Sequence, residues 1–165
     1  MITLKRALGR WDLTALGVNP WLMVAAPAYL DRRAAPRVAA DLASHACIVY
    51  SSVQGNDVWR FQSPQGAVES PQLSTPLRSN NLSVVLAAAR SGMGLAILPH
   101  YVAAPALAAG ALQSIMDDHE LPSQRIQAVT PSPRLAPHKV SLFVAFLRKR
   151  FSGAWWLRAG DPRGD

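Results

Sequence analysis

The chain has 165 residues, half of them hydrophobic and 16% charged, a balance that fits one globular domain and excludes a disordered tract. Seventeen Lys and Arg against ten Asp and Glu leave a formal charge of +7. The basic residues are scattered and the densest group is Arg148-Lys149-Arg150, so charge alone does not mark a nucleic-acid patch. One cysteine, Cys47, excludes an internal disulfide and a cysteine-rich metal site and suits a reducing cytosol. No secretory pattern opens the chain, and the apolar run from Trp21 to Leu30, which contains Pro27, is about half the length of a membrane span; a soluble cytoplasmic protein is expected.

In chain order, Ile2 to Lys5 reads as a short strand, and Gly9 to Asn19 carries turn signals without a period. Trp21 to Ala25 is a continuous apolar run, the pattern of a strand buried on both faces in a parallel sheet. Pro27 ends it, and Ala28 to Arg33 predicts a helical turn. Pro36 opens a short helix through Asp41 and Leu42, and Ala46 to Tyr50 predicts a second buried strand closed by Ser51-Ser52. Val58 to Gln62 alternates, turns at Pro64 and Gly66, and pairs with Ala67 to Glu69 as a hairpin; Leu73 to Ser79 is one more strand.

Leu82, Val85, Leu86 and Ala89 recur at helical spacing behind the candidate N-caps Asn80 and Asn81, with Gly92 at the C-terminal end. Leu95 to Leu98 predicts a buried strand closed by Pro99. A helix over about Val102 to Ala109 ends at Gly110, and Ile126 to Thr130 is a strand. A long amphipathic helix carries the stripe Val140, Phe143, Val144, Leu147 and Phe151, with Pro137 near its first turn. Ser152 to Asp165 lacks a period and reads as a loose tail. Strands alternating with helices, with one hairpin inserted, predict an α/β fold on a mostly parallel sheet.

No catalytic signature is present: no phosphate loop, no nucleophile elbow, no paired metal-ligand motif. His45 and Cys47, two apart, would share a strand face, but a thiol inside an apolar strand is usually inert. His100, His119 and His138 lack ligand-like neighbours and read as surface or hinge histidines. Asp117-Asp118-His119-Glu120 lacks calcium-loop spacing and reads as a solvated loop. Trp59 and Phe61 share one face of a hairpin strand, and core packing suits them better than stacking on a ligand. No catalytic residue, metal site or cofactor is expected.

Several segments together resemble the effector domain of LysR-type transcriptional regulators. Val24 to Leu30 is similar to that family's "ASPAYL" strand-to-helix segment. Asp41-Leu42 with His45, Cys47 and Val49-Tyr50-Ser51 is similar to its "DL..H.C..YS" segment. Asn80-Asn81 through Ala87-Ala88-Ala89 and Gly92 to Pro99 resembles "NN....L..AA..G.GIALLP". Leu107, Gly110, Leu112 and the helix from Pro137 to Phe151 resemble "L..G.L" and "SPKVRAFVDFL.ERF". The likeness runs from about residue 2 to 151, with Ala26 standing where the family commonly has serine.

The resemblance implies a two-lobed, periplasmic-binding-protein-like (type 2) fold with the second lobe complete and the first partial. Residues 1–18 would be a remnant of the first lobe, 19–99 the second lobe, 100–151 the return to the first, and 152–165 a tail. The winged helix and the leading strand–helix units of the family have no counterpart in this chain. The ligand would lie at the carboxyl ends of the strands. Ala26, Pro27, Ser51, Ser52, Asn80, Asn81, Pro99 and His100 are the candidate ligand-binding residues. Serine hydroxyls would hydrogen-bond a polar ligand and a helix N-terminus would favour an anion or carboxylate, with simple turn and capping chemistry as the competing readings.

The implied role is effector sensing and self-association within a transcription factor, acting by population shift, with DNA reached only through the winged helix and no membrane partner. The alternatives are a truncated non-functional remnant and a free-standing solute-binding module.

Overall fold

A computed structural model describes residues 11–51, 59–63, 66–121, 123–131 and 137–157. Strand β1 (Trp11–Asn19) leads through Pro20 into β2 (Trp21–Ala25), and a single helical turn, α1 (Pro27–Leu30), follows. A 3₁₀ turn (Ala39–Ser44) precedes β3 (Ala46–Tyr50). Two-residue strands β4 (Phe61–Gln62) and β5 (Val68–Glu69) pair as an antiparallel hairpin. Then come β6 (Ser74–Ser79), α2 (Leu82–Arg90), β7 (Leu95–Pro99), α3 (His100–Ala108), β8 (Gln113–Ile115), β9 (Gln124–Pro131) and α4 (His138–Arg150), closed by a 3₁₀ turn at Trp155–Leu157.

Five strands form one sheet in the order β6-β3-β7-β2-β8. The apolar runs of β2, β3 and β7 arise because successive side chains enter two different cores. Met23, Cys47, Val49 and Leu95 point to one face, where Tyr29, Leu42, Trp59, Phe61 and Ile115 cover them. Val24, Ile48, Ala96 and Leu98 point to the other, beneath Val85, Ala88 and Ala89 of α2, Ala103 and Ala106 of α3, and Leu112. Each fully buried aliphatic side chain there contributes roughly 1.5–3 kcal/mol of transfer free energy. Trp59 and Phe61 are core residues, as expected, packed edge to face at 6.3 Å.

Three expectations change. The run Trp21–Ala25 is buried on both faces, but β2 lies antiparallel to β7 and to β8. An apolar run reports burial and carries no information about strand direction. Gly9 to Asn19, read as turn, contains the nine-residue strand β1, paired antiparallel with β9 across a bulge between Ala15 and Gly17. The bulge interrupts the two-residue period that would have marked it. Strand β8 escaped notice because three residues cannot show a period.

The β1–β9 ribbon is a separate two-stranded sheet that joins the five-stranded body to α4. Helix α4 packs on β1: a Cβ added at Gly17 would meet the Phe151 carbonyl, with the carbonyl carbon and Cβ of Phe151 both 3.3 Å away. The stripe face of α4 is only half covered. Val140, Val144 and Leu147 are partly buried, whereas Leu142, Phe143 and Phe146 are about 60% exposed. Trp155–Leu157 form an ordered turn at the start of the segment read as a tail. Ile2 to Lys5, Val58, Pro64 and residues 158–165 lie outside the described residues.

Candidate functional site

Strand direction decides which segments meet. Strands β3, β6 and β7 run parallel, so Tyr50-Ser51, Ser79-Asn80 and Pro99-His100 emerge at one edge of the sheet. Antiparallel β2 brings its first residue to the same edge, where Trp21 faces Pro99. The backbone closes this edge: the Ser51 N–H donates to the Ser79 carbonyl at 2.9 Å, and the His100 N–H donates to the Pro20 carbonyl at 2.9 Å. Trp21 and Tyr50 pack with ring centroids 6.0 Å apart.

The expectation that Ala26-Pro27 joins Ser51, Asn80 and Pro99 is thereby corrected. Ala26-Pro27 follows the far end of β2, beside the start of β3 and β7, and Ala26 is buried. Pro27 occupies the first turn of α1, where its missing N–H costs nothing. Asn80, Asn81, Ser51, Pro99 and His100 share the opposite edge; Ser52 lies outside the described residues. Asn81 is the N-cap of α2: its Oδ1 accepts from the Ser83 N–H at 2.8 Å, and its own N–H donates to Ser79 Oγ at 3.1 Å. That carboxamide oxygen is therefore engaged in capping, while the remaining N–H groups of the first turn still point to the edge.

Three polar atoms of residues next to Pro20 in sequence or bonded to its carbonyl are buried without a hydrogen-bond partner among the described residues: Asn19 Oδ1, Trp21 Nε1 and His100 Nδ1. Asn19 is 6% exposed, and its Nδ2 donates to Gln124 Oε1 at 3.3 Å, tying β1 to β9. Burial lowers the His100 pKa, which favours the neutral ring. Neither Asn19 nor Trp21 was legible as a site residue. Their only signal was the proline between them, which marks a chain direction change rather than a binding group.

At the far edge, the "DL..H.C" segment is structural. The Ala46 N–H donates to Tyr29 Oη at 3.1 Å, and the Tyr29 hydroxyl and His45 Nδ1 share a hydrogen bond at 3.0 Å. Burial is the main cause that lowers the His45 pKa, with Arg33 second and Asp41 opposing. The Cys47 thiol, fully buried, is pushed up to about 12 by desolvation and contacts the Leu42 and His45 carbonyls. It is not a nucleophile at neutral pH. Asp41 accepts from the Arg37 and Val38 N–H groups, which hold its carboxyl below its ordinary value.

His119, expected at the surface or a hinge, is buried edge-on to Phe61 and pairs with Asp118 at 2.8 Å. Among the described residues no group of three His, Cys, Asp or Glu side chains could hold a metal ion, and no helix is long and apolar enough to cross a membrane.

Comparison with known proteins places this geometry. Residues 3–152 match the family model of the LysR substrate binding domain. The probable HTH-type transcriptional regulator LtrA of Klebsiella pneumoniae is 29% identical over 99 residues, covering 60% of this chain and 32% of that protein. The HTH-type transcriptional regulator DmlR of Escherichia coli is 26% identical over 141 residues, covering 83% and 44%. The chain thus spans less than half the length of these curated relatives.

Among solved structures, full-length AphB of Vibrio cholerae superposes with a TM-score of 0.75 at 22% identity, covering 85% of this chain and 48% of that one. The regulatory domain of CrgA from Neisseria meningitidis gives 0.72 at 18%, covering 88% and 72%. These likenesses show the fold, the expected α/β type of periplasmic-binding-protein-like regulatory domains. With residues 3–152 of the chain matched by the family model, the chain belongs to the LysR substrate-binding domain family.

Proposed function

We propose that this chain is the effector-sensing segment of a LysR-type transcriptional regulator and that its ligand binds at the sheet edge formed by Asn19, Trp21, Ser51, Asn80-Asn81 and Pro99-His100. The observation that carries this reading is that Asn19 and Trp21, which flank Pro20, and His100, whose N–H bonds the Pro20 carbonyl, each bury a side-chain polar atom that has no partner. Leaving a buried polar group unpaired costs about 1–3 kcal/mol, so such atoms are what a polar ligand would satisfy. The α2 N-terminus adds a preference for an anion or carboxylate. The lining is chemically suited to holding a ligand, and nothing in it is arranged to make or break a bond.

On this reading the second lobe is the five-stranded body, which runs on past the expected end at residue 99 to take in α3 and β8; α4 belongs to the first lobe, and the β1–β9 ribbon is the hinge. Ligand shifts the population of lobe arrangements, the chain acts in the cytoplasm and self-associates, and DNA is contacted by a winged helix outside these residues. Thermal melting against a panel of small carboxylates, hydroxy acids and aromatic acids tests it. A ligand at 100 times its Kd should add about 2.7 kcal/mol and raise the melting temperature by roughly 5–10 °C. His100→Ala should abolish that rise. A panel in which no compound shifts the melting point would sink the sensing role.

A second reading, a remnant whose uncovered face drives association without sensing, is favoured by exposed Leu142, Phe143 and Phe146. It predicts polydisperse aggregates, where the first predicts a defined oligomer.

A further inference from the structure

We infer that the turn Trp155–Leu157 is a clasp that fixes α4 against the five-stranded body and so sets the balance between lobe arrangements. The inference rests on the two-lobed reading above. The turn touches three parts of the molecule at once. Trp155 Nε1 donates to the Val18 carbonyl of β1 at 2.6 Å, although the two residues are 137 apart in sequence. The Trp155 ring packs edge to face on Phe151, at the end of α4, at 5.1 Å, and against Tyr101 of α3 at 5.7 Å. Trp156 packs on His100, the first residue of α3, at 6.3 Å.

These contacts straddle the proposed site. Val18 precedes Asn19, and His100 carries one of the unpartnered atoms. Helix α4 reaches the body through β1 and through this turn, so any swing of α4 about the ribbon must slide the Trp155 ring off Tyr101 or Trp156 off His100. Aromatic faces packed at offset angles have a preferred arrangement and lose it on sliding, so the joint favours one placement of α4 over any other. A ligand that reorients His100 acts on Trp156 directly.

The experiment uses the full chain with spin labels on Ser141→Cys in α4 and Arg90→Cys in α2, both exposed positions; Cys47 is fully buried and stays unlabelled. Pulsed dipolar spectroscopy reads the distance between α4 and the body without any effector. Trp155→Phe keeps the ring and deletes the bond to Val18; Tyr101→Leu removes the stacking from the other side. Circular dichroism and melting of the β2–β3–β7 core confirm that each variant folds.

The clasp predicts one narrow distance in the parent and a second, displaced population in either variant. Distances unchanged in both variants overturn it. A chain that responds to these substitutions yet shows no ligand shift keeps the clasp and loses the sensing role; a ligand shift with unchanged distances does the reverse.

Discussion

Gly94→Ala should be among the most destabilising single-methyl changes in the molecule. Gly94 immediately precedes β7, against the start of β3 in the middle of the sheet. An added Cβ would overlap the Ala46 carbonyl oxygen and lie 2.9 Å from the carbonyl carbon and 3.1 Å from the Ala46 Cβ. Carbon atoms pack at about 3.5–4.0 Å, so the backbones must part by at least roughly 0.6 Å. Neither strand can retreat: Leu95 and Ala96 on one, and Cys47 and Ile48 on the other, are fully buried. Overpacking against rigid backbone puts the loss at about 3 kcal/mol, or roughly 6–12 °C in melting temperature for a chain of this size. Gly110→Ala is the control, because it adds the same methyl into open space at a φ of +67° and loses only the left-handed preference of glycine, about 1 kcal/mol. Paired calorimetric melts decide the matter. If Gly94→Ala melts no lower than Gly110→Ala, the close approach of β3 and β7 is not a constraint on this fold.

Other substitutions probe the rest of the molecule. Gly17→Ala should push Phe151 off β1 and raise amide exchange in α4 and the Trp155 turn while the five-stranded body keeps its protection; equal exchange everywhere would contradict the α4–β1 packing. His45 and His100 both have folded pKa values below the ordinary value near 6.5, so the unfolded chain takes up protons first. Their stability is complete above pH 6.5 and falls as pH drops below it. His45→Gln should flatten the melting-temperature slope between pH 6.5 and 5, and an unchanged slope would show that the Tyr29–His45 pair carries none of it. Replacing Phe143 and Phe146 together by serine should lower the mass seen by light scattering if the exposed α4 face mediates self-association; identical masses would place the contact elsewhere.

The body of the fold was legible because its information is local. Trp21–Ala25, Ala46–Tyr50 and Leu95–Pro99 are apolar runs bounded by proline or serine, and α2 announces itself by Leu82, Val85, Leu86 and Ala89 behind Asn81. What was illegible depends on partners. Strand β1 owes its extended form to register with β9 more than a hundred residues later, and its bulge hides the alternation. Half of the candidate site was visible as the ends of β3, β6 and β7. The other half, Asn19 and Trp21, was invisible because its place follows from the direction of β2. Ala26-Pro27 entered the candidate list for the same reason, since a parallel β2 would have carried them to the site.

The reversal of β2 also changes how a site at this edge would communicate. In a parallel arrangement the site would receive the exit of β2 and the α1 turn, which anchors through Tyr29 to His45 at the far edge and leads nowhere near the ribbon. In the antiparallel arrangement it receives the residue at which β1 becomes β2. Pro20 has a fixed φ and no N–H, and its carbonyl is held by the His100 N–H, so the junction has little slack. Asn19, on the ribbon side of that junction, holds β9 through Gln124, and Val18 beside it accepts from Trp155. A group bound between Trp21 and His100 is thus two residues from the ribbon and three from the contact that holds α4. Coupling over so short a path needs no relay through the core: a small rotation at Pro20 is already a rotation of β1.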